Sequence, residues 1–113
     1  MAKMKVFSFG FRDGAPPQDA GFVLDCRSMR NPHHQPALRE LTGKDIDVQA
    51  FVRTDPRFKP LLDEALRMAN DGEPVAFGCF GGRHRSVAMA ELLAQELRNI
   101  GNSVETIHRA LGN

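Results

Sequence analysis

Pro74-Val-Ala-Phe-Gly-Cys79, continuing through Phe80-Gly-Gly-Arg-His-Arg-Ser86 into Val87-Ala-Met-Ala-Glu-Leu-Leu-Ala-Gln-Glu-Leu97, is the stretch on which the fold turns. Its first six residues read as a strand, bounded by a proline and a glycine-rich bend. From Ser86 on, Val87, Met89, Ala90, Leu93, Ala94 and Leu97 recur at helical spacing and predict an amphipathic helix. A strand that bends through glycines into a helix is a unit of an α/β sheet, whose ligands bind beyond the carboxyl ends of the strands.

Outward from this unit the pattern repeats. Lys5 to Phe9 predicts a first strand, closed by Gly10 and followed by the turn-rich Asp13-Gly-Ala-Pro-Pro17. Gly21-Phe-Val-Leu-Asp-Cys26 is a continuous apolar run ending in polar groups, as in a buried parallel strand, with Asp25 and Arg27 at its exit. Between Ser28 and Asp45 the prolines of Asn31-Pro-His-His-Gln-Pro36 and the break at Gly43 predict a long irregular loop. Asp47 to Val52 predicts a short helix. After the start signal Asp55-Pro56, a second helix follows with Phe58, Leu61, Leu62, Ala65, Leu66 and Ala69 as its stripe, ending near Asn70-Asp-Gly72. Gly101-Asn-Ser closes the helix that began at Ser86, and Val104 to His108 predicts a last strand. The expectation is one three-layer α/β domain over residues 1–113, with a small, mostly parallel sheet and a phosphate-binding loop between a strand and a helix.

The 113 residues allow one core. No apolar run approaches the roughly 20 residues of a membrane-spanning helix, so no membrane partner is expected. The N-terminal residues lack an export pattern, and the two cysteines, Cys26 and Cys79, are too few for a disulfide framework, which favours the cytoplasm. A formal charge of +1 gives no bulk signal for nucleic acid, so RNA would require a local patch, and Arg27, Arg30, Arg39, Arg83 and Arg109 are the candidates.

Gly78 to Ser86 carries the chemistry. A phosphate needs convergent donors and an unobstructed approach, and a glycine-rich turn at a helix start supplies exposed N–H groups and a positive helix end. Gly81 and Gly82 meet the steric demand, His84 and Arg85 add charge, and Ser86 adds a hydroxyl. Walker A chemistry is excluded, since no Gly-x-x-x-x-Gly-Lys-Ser/Thr occurs. A second reading fits the same residues: Cys79-x-x-Gly82-x-x-Arg85-Ser86 resembles the loop of cysteine-dependent phosphatases. In them a thiolate attacks phosphorus while the arginine clamps its oxygens, here with Cys79 as nucleophile and Asp25 or Asp13 as acid. Gly78, however, stands where those enzymes usually carry His. Asp25 and Arg27 either face the anion or form an ion pair that fastens the loop, and His33 stands in reach of a neighbouring strand exit. No ligand spacing for zinc and no cofactor motif occurs.

Ser8-Phe-Gly-Phe11, Asp25-x-Arg27, Asn31-Pro-His33, Leu38-Arg39, Leu41-Thr-Gly43 with Asp45, Gly78-Cys-x-Gly-Gly-x-His-Arg-Ser-Val87 and His108-Arg109 occur in an order that resembles the C-terminal domain of the RNase adaptor RapZ, the YvcJ family. The resemblance covers about Phe7 to Leu111. It implies a regulatory domain that binds an amino-sugar phosphate, glucosamine-6-phosphate, through His33, Gly81, His84 and Arg85, and that contacts a small RNA. A non-enzymatic binding or sensor domain is the first expectation, with the phosphatase that uses Cys79 as the alternative. Phe80 departs from the family pattern, where a threonine stands, and the basic tail of RNA-binding members does not follow His108-Arg109. The expected partners are therefore a phosphorylated small molecule or phosphate ion and, through Arg39, Arg83 and Arg109, RNA; homo-oligomer formation is left open.

Overall fold

A computed structural model describes residues 3–112; Met1, Ala2 and Asn113, the ends of the expected span 1–113, lie outside the described residues. Strands β1 (Met4–Gly10), β2 (Phe22–Asp25), β3 (Val75–Cys79) and β4 (Val104–His108) alternate with helices α1 (Ile46–Arg53), α2 (Phe58–Asn70) and α3 (Arg85–Asn99). The strands form one sheet in the order β2-β3-β1-β4, and every pairing is parallel, so the mostly parallel expectation becomes wholly parallel. Every residue of central β3 is buried, whereas the edge strands β2 and β4 alternate with exposed positions.

The order of the strands dictates where the helices go. The connections β2 to β3 and β3 to β4 both move across the sheet in one direction, and right-handed crossovers then put α1, α2 and α3 on one face. The main core lies there: Val6, Leu24, Val75 and Phe77 from the sheet meet Val48, Val52, Ala65, Ala69, Met89 and Leu93 from the helices. The connection β1 to β2 moves the opposite way and crosses the other face with no α-helix, only the 3-10 turn Phe11–Asp13. Phe11 and Ala20 from that segment, with Ile107, cover Phe7, Phe9 and Ala76. The third layer is thus a thin one of irregular chain.

The boundaries follow local chemistry. The Asp55-Pro56 signal acts three residues ahead of α2: the buried Asp55 carboxylate accepts the amides of Arg30 at 2.7 Å and Arg57 at 2.9 Å, and its carbonyl accepts the Phe58 amide. The loop expected from Ser28 to Asp45 contains one 3-10 turn, Pro32–His34, where the Asn31 side chain accepts the His33 amide at 3.1 Å. Among the described residues no helix is long and apolar enough to cross a membrane.

Candidate functional site

The carboxyl ends of β1 and β3 bound a cleft of about 560 Å³ that also takes in the 3-10 turn after Asn31 and the loop ahead of α3. Two glycine contacts set the shape of that loop. Gly82 has φ +75, and a Cβ there would lie 2.5 Å from the Gly10 nitrogen; a Cβ on Gly10 would lie 2.7 Å from the Gly81 carbonyl carbon. On the other side, a Cβ on Gly43 would lie 2.1 Å from the Ala88 nitrogen, so the Leu41-Thr-Gly43 segment is pressed against the first turn of α3.

Three of the loop's carbonyls are taken by the scaffold. Phe80 accepts the Arg12 amide at 3.0 Å, Arg83 accepts the Gly43 amide at 2.9 Å, and His84 accepts the Ala88 amide at 2.9 Å. A trans peptide points its N–H opposite to its C=O, so the amides of Gly81, His84 and Arg85 point away from those partners. Among the described residues, the amides of Gly81, Gly82, Arg83 and His84 donate to no protein acceptor.

Arg85 is buried at 6% exposure, and its Nη1 donates to the carbonyls of Arg27 at 2.9 Å and Met29 at 3.1 Å. Its Nε is buried and has no hydrogen-bond partner. Cys79 lies at the cleft floor, where its thiol donates to the Ser86 hydroxyl at 3.2 Å and its sulfur accepts the Ser86 amide at 3.4 Å. His84 packs inside with Nε2 3.2 Å from the Arg39 carbonyl. Burial pushes its imidazole below the ordinary value, against the hydrogen bonds to the Arg39 and Leu41 carbonyls. The His33 ring is 6.4 Å from that of His84. Four arginines, Arg12, Arg39, Arg83 and Arg85, line the cleft against one carboxylate, Glu40.

Of the residues singled out in the sequence, Cys79, Gly81, Gly82, His84, Arg85, His33, Arg39 and Arg83 line the cleft. Ser86 is wholly buried beneath it and acts on Cys79. Asp25 and Arg27 do not line it. They form a two-pronged ion pair with contacts of 2.7 and 3.0 Å, the Arg27 guanidinium lies 3.9 Å from the Phe11 ring centre, and the bond from Arg27 holds Asp25 below the usual carboxylate range. Arg27 still serves the site through its carbonyl, which holds Arg85. Arg109 is turned away, donating to the Ala15 carbonyl at 2.7 Å. Arg12, Glu40 and the side chain of Phe80 are lining residues that the sequence reading did not select, and no local pattern marks Arg12 or Glu40. Gly78 has a packing reason for replacing the histidine of phosphatase loops: a Cβ there would lie 2.5 Å from Cζ of Phe9.

A family model described as the RapZ C-terminal domain matches residues 2–112. The chain belongs to the RapZ C-terminal domain family. Relatives include a nucleotide-binding protein of Thermobifida fusca, 46% identical over 97% of this chain and 41% of its own length. Another from Thermus thermophilus is 45% identical over 94% of this chain and 42% of its own length, and one from Paramagnetospirillum magneticum is 43% identical over 94% and 38%. The chain therefore spans about two fifths of the length of the curated relatives it matches. In this RapZ C-terminal domain, two motif residues far apart in sequence meet. The Ser8 hydroxyl lies 2.6 Å from His108 Nδ1, and His108 Nε2 lies 2.6 Å from the Glu91 carboxylate. The bond to His108 holds Glu91 below the usual carboxylate range.

Proposed function

We propose that this RapZ C-terminal domain is a non-enzymatic sensor or binding domain for a phosphorylated small molecule, working in the cytoplasm. The phosphate sits against the amides from Gly81 to Arg85 and the free edge of the Arg85 guanidinium, with His33 and His84 flanking it. The carrying observation is Arg85: a buried cation with an unpartnered Nε, fixed by two carbonyls, is stable only weakly by itself and is completed by an anion. The amides from Gly81 to His84 have no protein acceptor among the described residues, and the printed name of the relatives, nucleotide-binding protein, agrees with a phosphorylated ligand in general. The family resemblance implies an amino-sugar phosphate, glucosamine-6-phosphate, and a cleft of about 560 Å³ is compatible with a hexose phosphate. Calorimetric titration with glucosamine-6-phosphate, other hexose phosphates, nucleoside monophosphates and inorganic phosphate tests this. Saturable binding of at least one supports it, and silence from all four overturns it.

One observation favours the phosphatase reading: Cys79 is cradled by the Ser86 amide and hydroxyl. Against it, Asp25 is taken by Arg27, exposed Asp13 pairs with Arg12 at 3.4 Å, and neither lines the cleft, which leaves Glu40 as its sole acid among the described residues. Turnover of an aryl phosphate that Cys79→Ser abolishes would establish catalysis; no turnover by either protein supports binding alone. An RNA contact through Arg39 and Arg83 at the cleft is the remaining extension, and its sign is an affinity that falls steeply with salt.

A further inference from the structure

Cys26 follows directly on β2, and Cys79 ends β3. The register pairs Asp25 with Gly78, so the next pair along the two parallel strands is Cys26 with Cys79. The Cys26 amide donates to the Gly78 carbonyl at 2.7 Å and carries the ladder past the end of β2. Adjacent strands lie about 4.8 Å apart, inside the Cα separation of roughly 4.4–6.8 Å that a disulfide spans. Both side chains belong to the core cluster on the helical face, so they leave the sheet on the same side, and both are free thiols. Cys79 lines the cleft; Cys26 does not.

We propose that Cys79 and Cys26 are a modification site, forming a reversible disulfide under the floor of the cleft when a hydroperoxide enters it. Their surroundings divide the labour. Cys79 faces the cleft; its sulfur accepts the Ser86 amide and its thiol donates to the Ser86 hydroxyl. Cys26 is wholly buried, its one polar contact is the Leu24 carbonyl at 4.0 Å, and burial pushes its thiol up. Cys79 is therefore oxidised first and Cys26 resolves.

In the first step the Cys79 sulfur attacks one peroxide oxygen, the O–O bond breaks, and the other oxygen leaves as an alcohol, or as water from hydrogen peroxide, with the thiol proton. Cys79 is now a sulfenic acid. In the second, the Cys26 sulfur attacks the Cys79 sulfur, the S–O bond breaks, and the hydroxyl leaves as water with the Cys26 proton. Two thiols are oxidised and one hydroperoxide is reduced; a dithiol reverses the bridge by exchange. The bridge turns the Cys79 sulfur away from Ser86 toward β2, at the base of the loop that carries the unused amides.

The test is independent of the phosphate reading, because it needs no ligand. The folded chain is treated with hydrogen peroxide and followed by intact mass and peptide mapping. The expected product is a monomer lighter by about 2 Da, with a Cys26–Cys79 cross-linked peptide, both thiols lost to alkylation and both restored by dithiothreitol. Cys26→Ala is expected to stop instead at the sulfenic and sulfinic forms of Cys79, heavier by about 16 and 32 Da. If that variant does not fold, the map of the unsubstituted chain decides alone. Accumulation of Cys79 sulfinic acid in the unsubstituted chain, disulfides only between molecules, or two unmodified thiols would each overturn the proposal.

Discussion

Replacing Arg85 by methionine keeps a buried stem of similar length and removes the guanidinium on which phosphate binding is argued to depend. Without ligand, the carbonyls of Arg27 and Met29 lose their donor while one unpartnered buried N–H disappears, a net loss of about 1–3 kcal/mol. With ligand the contrast is larger. A ligand at a hundred times its Kd stabilises the unsubstituted chain by about 2.7 kcal/mol, which for a domain of this size raises the melting midpoint by about 10 °C. Each charge-assisted bond lost is worth roughly 1.5–3 kcal/mol, so affinity falls about tenfold to a hundredfold. The same ligand concentration then shifts the variant by only about 2–6 °C. Differential scanning fluorimetry with glucosamine-6-phosphate or inorganic phosphate, each protein referred to its own ligand-free midpoint, reads this directly. Arg85→Lys, which keeps charge without the planar fork, is expected to fall between the two. Equal ligand shifts in Arg85→Met and the unsubstituted chain would refute the argument.

Gly82→Ala forces a Cβ at φ +75 against the Gly10 backbone, and is expected to cost about 1–3 kcal/mol, seen as a lower urea midpoint with an unchanged slope. Asp55→Ala strips the Arg30 and Arg57 amides of their acceptor, and a loss of roughly 2–4 kcal/mol in the same titration checks it. The carboxyl of Glu91 is lower in the folded chain than its ordinary 4.5, chiefly through its bond with His108, so its contribution is full above pH 4.5 and is lost as pH falls through the folded value. Stability measured from pH 6 to pH 3 should therefore fall less steeply in Glu91→Gln than in the unsubstituted chain. An unchanged acid limb would remove this pair from the acid sensitivity.

Periodicity was enough to find the strands and helices, because each carries its own apolar signature: the run at Gly21 to Cys26, the stripe from Val87 to Leu97. Strand order was hidden, since it depends on which way each crossover runs, and no residue encodes that by itself. The thin layer over Phe7 and Phe9 was hidden for the same reason. At the cleft, the glycines and the basic run of Gly81 to Arg85 could be read because one short segment supplies them. Arg12, after β1, and Glu40, in the long loop, become neighbours of that segment only through the sheet. The geometry also separates residues that the sequence treats alike: Arg85 is fixed by two carbonyls, while Arg27, also a candidate, is occupied by Asp25.

The backbone contact between Gly10 and Gly82 has a kinetic meaning. The loop leans on the end of a central strand with no side chain between them to rotate or withdraw, and Gly43 wedges the opposite flank. On the proposed reading, an anion would meet a loop held by close backbone packing, and capture is expected to be a single step whose observed rate climbs in proportion to ligand concentration without levelling off.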